Sequence, residues 1–262
     1  MSRIADTFAN LKRANRRGFI PFITAGDPDL HTTRQLIVEL ARAGATVIEL
    51  GIPFTDPMAD GPVIQRASER ALRHRFGISE VLQIVSGARK EIDVPIILFS
   101  YFNPLLQFGI EKLARKAKGA GVDGILVTDL VPEEASEFAS ILRANDLDMI
   151  FLVAPTSTDR RLQMVAERAS GFIYAVSRAG ITGARDEMSA EAEKLVRRMR
   201  TFSDLPIAVG FGISTPEHVK DVWRYADAAV VGSAIVREIE QAGASTDVVS
   251  RVSRFTRQLI DK

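Results

Sequence analysis

Val47-Ile48-Glu49-Leu50-Gly51-Ile52-Pro53-Phe54-Thr55-Asp56-Pro57-Met58-Ala59-Asp60-Gly61-Pro62 is the stretch on which the reading of this chain turns. An apolar run ends in a carboxylate, Glu49. A loop broken by Pro and Gly then carries Asp56 and Asp60 before the next helix-like segment. One acid at a strand end and another on a long loop above it suit an acid–base pair at the mouth of an α/β barrel, where such folds place their sites.

Outward from that stretch, short β-rich apolar runs alternate with longer amphipathic segments. The runs are Phe19–Thr24, Thr46–Leu50, Pro95–Ser100, Gly124–Thr128, Met149–Val153, Phe172–Val176, Ile207–Gly210 and Ala228–Gly232. Nearly all-apolar runs fit parallel strands buried on both faces. Thr32–Ala43 puts Leu36, Ile37, Leu40 and Ala41 on one helical face and stops at Gly44, a C-cap residue. Pro132–Ala144 opens with Pro and acids, as a first helical turn does. Thr215-Pro216-Glu217 supplies an N-cap and a Pro at the first helical position. Eight such units predict a (β/α)8 TIM barrel as a single domain over residues 1–262. A doubly wound open sheet, the rival, shows fewer strands at this length. An extra N-terminal helix, Ile4–Arg16, is placed to close the barrel bottom.

Two connections are long: Gly51 to about Ser79, and Ser177 to about Ser189. Both should emerge at the C-terminal face, and long loops in compact domains are usually functional. The expectation is a lid of these two loops that orders over substrate. Protection near Arg185 in limited proteolysis with a substrate analogue would be its signature.

Lys and Arg number 34 against 33 Asp and Glu, spread evenly, so nothing calls for a nucleic-acid or anionic-membrane partner. There is no cysteine, which excludes disulfides, thiolate metal sites and Cys nucleophiles. The N-terminus has no signal-peptide core and no run is of membrane-spanning length, so the expected location is cytoplasmic. His31, His74 and His218 are far apart, and no metal site is expected. No lysine lies in a strand core, so a Schiff-base aldolase lacks its nucleophile.

Glu49, at the end of an apolar strand, would be partly desolvated, which raises a carboxyl pKa towards neutrality and suits proton transfer. Its bland alternative is a pair with a nearby Lys or Arg. Asp56 before Pro57 and Asp60 before Gly61-Pro62 are both good turn residues, and spacing does not choose between them. Gly210-Phe211-Gly212-Ile213 follows the seventh run, and Gly232-Ser233-Ala234 follows the eighth and opens a helix. Backbone N–H groups there, with Gly183 from the sixth loop, form the expected phosphate site. Otherwise these glycines only make tight turns.

Taken together, and in order, these motifs resemble the tryptophan synthase alpha subunit family over nearly the whole chain. Pro21–Pro28, Glu49–Pro62, Tyr101–Pro104, Gly121–Gly124, Ala154–Ser157, Gly171–Tyr174, Gly180–Ala184, Gly210–Ser214 and Gly232–Ala234 carry the likeness. The resemblance implies retro-aldol cleavage of indole-3-glycerol phosphate to indole and glyceraldehyde 3-phosphate. It implies Glu49, Asp60 and Tyr174 as catalytic residues, and settles the choice of aspartate for Asp60. Phe22, Leu126, Thr182, Gly183, Phe211, Gly212, Gly232 and Ser233 become substrate-binding residues. It implies no cofactor in this chain, a beta-subunit partner holding pyridoxal phosphate, and an alpha2-beta2 heterotetramer. Asp129-Leu130-Val131-Pro132 departs from the family's common Asp-Leu-Pro by one residue, near the expected partner contact. A free-standing lyase with the same chemistry and no partner is the alternative. The synthase that makes this substrate would need a lysine at a strand end, and a non-catalytic activating module would not need both acids.

Overall fold

The computed structural model describes residues 2–176, 185–210, 212–243 and 247–261, with the side chains of 185–189 outside that description. Its strands are β1 (Gly18–Thr24), β2 (Ile48–Gly51), β3 (Ile96–Ser100), β4 (Gly124–Val127), β5 (Asp148–Val153), β6 (Ile173–Val176), β7 (Ile207–Gly210) and β8 (Ala228–Val231). They pair in parallel in chain order, and β8 pairs back to β1 to close the barrel. This is the expected (β/α)8 fold, with each strand within two residues of its sequence run.

The helices are α1 (Arg3–Arg13), α2 (Leu30–Ala43), α3 (Pro62–Leu72), α4 (Ile78–Ala88), α5 (Phe102–Phe108), α6 (Ile110–Ala120), α7 (Ser136–Ala144), α8 (Asp159–Arg168), α9 (Arg185–Met199), α10 (Pro216–Trp223), α11 (Ser233–Ala242) and α12 (Val248–Ile260). Local chemistry sets their ends. Asp29 caps α2 by accepting from the Thr32 N–H at 2.7 Å, and Gly44 ends it in the left-handed conformation. Thr215 caps α10, with Pro216 behind it. Among the described residues no helix is long and apolar enough to cross a membrane.

Two expectations need correction. The helix read as Pro132–Ala144 starts at Ser136. Pro132 to Ala135 instead form a turn, in which the Ala135 N–H reaches only the Pro132 carbonyl. Arg168 takes that same carbonyl and Arg161 holds Glu133, so distant cations capture the groups that a first helical turn would use. The connection after β2 is not one open loop either. Residues 52–61 are open, and α3 then forms before α4.

Side chains alternate along each strand. Ile48 and Leu50 pack outward under the helices, whereas Ile20, Ile97, Leu126, Ile150 and Phe172 fill the barrel. The pairing registers, with a two-residue stagger from one alternate strand to the next, stack the interior in layers of four. From the bottom these are Val47, Gly124, Phe172 and Ala228; Ile20, Ile97, Ile150 and Ala208; Glu49, Leu126, Tyr174 and Val230; and Phe22, Phe99, Leu152 and Gly210. Below them α1 inserts Ile4, Phe8 and Leu11 as the expected plug, with Phe8 5.8 Å from Phe172.

Candidate active site

Three of the four side chains in the third layer are apolar or aromatic, and the fourth is Glu49. It is 1% exposed, and its Oε1 has no hydrogen-bond partner among the described residues. Loss of water pushes its pKa up to about 8. The alternative of a cation pair is therefore not what the structure shows. Tyr174 stands in the same layer, with its phenol held well above the usual range by burial and by the charge of Glu49.

Glycines make room for this layer. A Cβ on Gly210, one layer up, would lie 2.1 Å from the Tyr174 Oη. A Cβ on Gly51 would lie 2.6 Å from the Phe22 ring. Phe22 is the register partner of Glu49 on the adjacent strand and meets Phe99 edge-on at 5.2 Å. Above them lies a narrow cleft lined by Phe22, Thr24, Gly51, Asp60, Ile64, Phe99 and Tyr101. Leu126, fully buried, sits with Glu49 below this cleft.

Asp60 reaches the cleft from the open part of the loop after β2. Burial raises its pKa to about 6, against a hydrogen bond from the Tyr101 hydroxyl that lowers it. Asp56 is exposed and bonded locally to the Thr55 hydroxyl at 2.5 Å. The cleft thus contains Asp60 and not Asp56. Sequence reasoning missed Phe99, Thr24 and the Tyr101 side chain. Strand parity was the available signal for Phe99, since it shares the inward phase of Ile97.

Gly210 and Val230 are register partners, so Gly212 and Gly232 leave the barrel side by side. Gly212 has φ 73°, a left-handed conformation that favours glycine, and a Cβ there would meet nothing. Gly232 precedes α11, whose first turn starts at exposed Ser233 and holds no acid. The N-terminus of α11, with its helix dipole and no acid in its first turn, thereby lies at the C-terminal end of β8, where it suits an anion. Thr182, Gly183 and Phe211 lie outside the described residues. Among the described residues no cluster of His, Asp or Glu is placed to hold a metal ion. His74 Nε2 is 2.6 Å from the Pro28 carbonyl and His218 Nδ1 accepts from the Ser214 N–H, both packing contacts.

A sequence model described as tryptophan synthase alpha chain matches residues 8–261. The chain belongs to the tryptophan synthase alpha chain family. A tryptophan synthase alpha chain of Solibacter usitatus is 48% identical over 259 residues, covering 99% of this chain and 97% of the relative. That of Geobacter sulfurreducens is 50% identical over 92% of this chain and 91% of its own. The crystal structure of tryptophan synthase subunit alpha from Legionella pneumophila superposes with a TM-score of 0.92 at 39% identity, covering 99% of this chain and 97% of that one. Membership gives this tryptophan synthase alpha family chain its place in tryptophan biosynthesis, as a lyase.

Proposed function

We propose that the chain works as one barrel domain that cleaves the carbon–carbon bond of indole-3-glycerol phosphate, giving indole and glyceraldehyde 3-phosphate. The observation that carries this is Glu49: a carboxyl inside an apolar layer, with an Oε1 that has no partner among the described residues, whose pKa near 8 keeps it protonated at neutral pH. Protonated Glu49 gives its proton to indole C3, which makes the ring a cationic leaving group. Its carboxylate then takes the proton of the hydroxyl on the carbon bonded to C3. That O–H pair becomes the aldehyde carbonyl, the C–C bond breaks, and its electrons return to the ring. Glu49 ends protonated as it began.

Asp60 receives the indole N–H and stabilises the charge that develops there. The two carboxyls differ as the chemistry requires, about 8 for Glu49 and about 6 for Asp60. Phe22 and Leu126 support the indole ring, and Tyr174 bonds the glyceryl chain. Gly212, Gly232 and Ser233 receive the phosphate, with Gly183 added from the sequence reading. Thr182 and Phe211 keep the roles that the resemblance implies for them, and the loop after β6 completes a lid.

The reading includes a beta-subunit partner that carries the pyridoxal phosphate, in an alpha2-beta2 assembly in the cytoplasm. Its support here is the rim around the cleft. Met58, Leu106 and Val131, on the connections that follow β2, β3 and β4, are exposed apolar side chains, and a groove is lined by Pro53, Phe76, Pro104 and Phe108. The test is indole release from indole-3-glycerol phosphate by the purified chain, alone and with a tryptophan synthase beta subunit. Slow release that rises strongly with the beta subunit is expected. Release unchanged by it would favour the free-standing lyase, and no release in either case would overturn the reaction.

A further inference from the structure

Asp60 sits near the end of an open segment whose Thr55, Asp56, Met58 and Ala59 are exposed. Something must aim its carboxylate, because loop backbone alone holds a side chain loosely. Backbone bonds fix the turn around it: the Asp60 N–H donates to the Pro57 carbonyl at 3.0 Å, and Gln65 Nε2 donates to the Asp60 carbonyl at 2.9 Å. Neither touches the carboxylate. Tyr101 lines the same cleft as Asp60 and supplies the hydroxyl that acts on its carboxylate.

Tyr101 is built as an anchor. It follows the last residue of β3 and is the N-cap residue of α5. The peptides on either side of it are tied down: the Thr128 N–H donates to the Ser100 carbonyl at 2.9 Å, and the Phe102 N–H donates to Asp129 at 2.7 Å. The residue is 3% exposed, and the Phe54 ring lies 5.3 Å from its own. Its hydroxyl accepts the Ala59 N–H at 2.9 Å. With the Ala59 N–H on its oxygen, the phenol keeps one proton to donate, and the Asp60 carboxyl lies in the same cleft. From a ring fixed to the barrel end, one hydroxyl is thus placed to bridge the loop backbone and the loop carboxylate.

We propose that Tyr101 is the positioning residue of Asp60, holding the carboxylate aimed and ionised from the rigid end of β3. The inference rests on the role given to Asp60 above. An O–H donor favours the charged form of a carboxyl, so the bridge opposes the effect of burial and keeps Asp60 anionic at neutral pH.

The test uses the complete chain with Tyr101→Phe, which keeps the ring and removes the bridge. Titration of the Asp60 carboxyl carbon by NMR should move to higher pH than in the parent. The acid limb of kcat/KM should move with it, and kcat should fall about tenfold with KM changed far less. In a cycle with Asp60→Asn, read by affinity for an indolylalkyl phosphate without the scissile diol, Tyr101→Phe should weaken binding in the parent and not in the Asn background. An unmoved Asp60 titration, or losses that add, would overturn the inference. Should Tyr101→Phe fail to fold, 3-fluorotyrosine in the parent replaces it. The Tyr101 fluorine signal should then titrate near pH 6 and stop doing so in Asp60→Asn, and a flat signal in the parent would overturn the inference. These readouts stand apart from turnover. Absent cleavage by the parent sinks the reaction, whereas intact cleavage with an unshifted Asp60 sinks only the role of Tyr101.

Discussion

The bottom of the barrel and its third interior layer treat carboxyl groups in opposite ways. At the bottom, Asp123, 7% exposed, accepts from the Arg3 and Arg89 guanidinium groups and from the Ile96 N–H at 2.8 Å. Asp148 accepts from the Ser2 hydroxyl, and Asp227 from Arg200 and the Ile207 N–H. In the third layer, Glu49 is more deeply buried and has an oxygen with no hydrogen-bond partner among the described residues. An unmet buried acid costs stability, and a fully met one ties elements together. The bottom holds the fold closed, while the third layer keeps a reactive group in an environment that the fold must tolerate.

The sharpest way to break this contrast is Glu49→Gln. Cleavage should fall about 1000-fold or more, the scale of a lost acid–base group. Stability should move the other way. The folded-state pKa of Glu49, about 8, is above its ordinary value of 4.5, so the folded protein keeps a proton that the unfolded chain releases. The parent therefore loses stability as pH rises from 4.5 to 8, by about 1.4 kcal/mol per pH unit at most. The Gln variant lacks this slope, and denaturant titrations at several pH values would show the difference between the two widening upwards. Parallel pH–stability curves would mean that Glu49 is solvated after all. Parent kcat/KM should also fall below about pH 6, where Asp60 takes up a proton, and above about pH 8, where Glu49 loses its own.

Asp123→Ala is the matching experiment at the bottom. It strands Arg89, whose side chain is 11% exposed. The expected loss is about 3–5 kcal/mol, the usual result of removing one member of a buried pair. Turnover per folded molecule should be unchanged. A variant that unfolds at the parent midpoint, or that keeps its stability and loses turnover, would erase the division between the two regions.

The contrast also explains what could be read in advance. Period and polarity are local, so eight strands and an acid on the second of them were visible in the chain itself, whereas nearly all-apolar runs hid which residues point inward. The plug helix was visible for the same reason. The choice between Asp56 and Asp60 was not, because it depends on how the loop folds onto the barrel end, where Ala59 meets the Tyr101 hydroxyl some forty residues further on and Asp60 lines the cleft. Pro132 has every local mark of a helix start, yet Arg161 and Arg168 on a later helix hold its turn open. Glu49 was read as ending its strand, but β2 runs on to Gly51, and that its Oε1 has no partner among the described residues is a property of the closed barrel and of every neighbour in its layer.

Smaller effects should follow the same division. Gly210→Ala puts a methyl group into the Tyr174 ring and hydroxyl. Overpacking of that kind costs about 1–3 kcal/mol. Here it should also cut kcat roughly tenfold, since Tyr174 shares the layer of Glu49. Tyr174→Phe should restore part of the lost stability by removing the closest atom and little of the lost rate. Ser2→Ala is the mildest. The Ser2 hydroxyl accepts from the Ala5 N–H at 3.2 Å and donates to Asp148 at 2.5 Å, so its loss uncaps α1 and loosens the plug. A cap is worth about 1 kcal/mol. Thermal melts should drop by a few degrees, kcat and KM should stay where they are, and Ser2→Thr should recover the loss. A change in kcat from so distant a cap would show that the plug reaches the site through the stacked layers, and the two regions would then have to be treated as one mechanical unit.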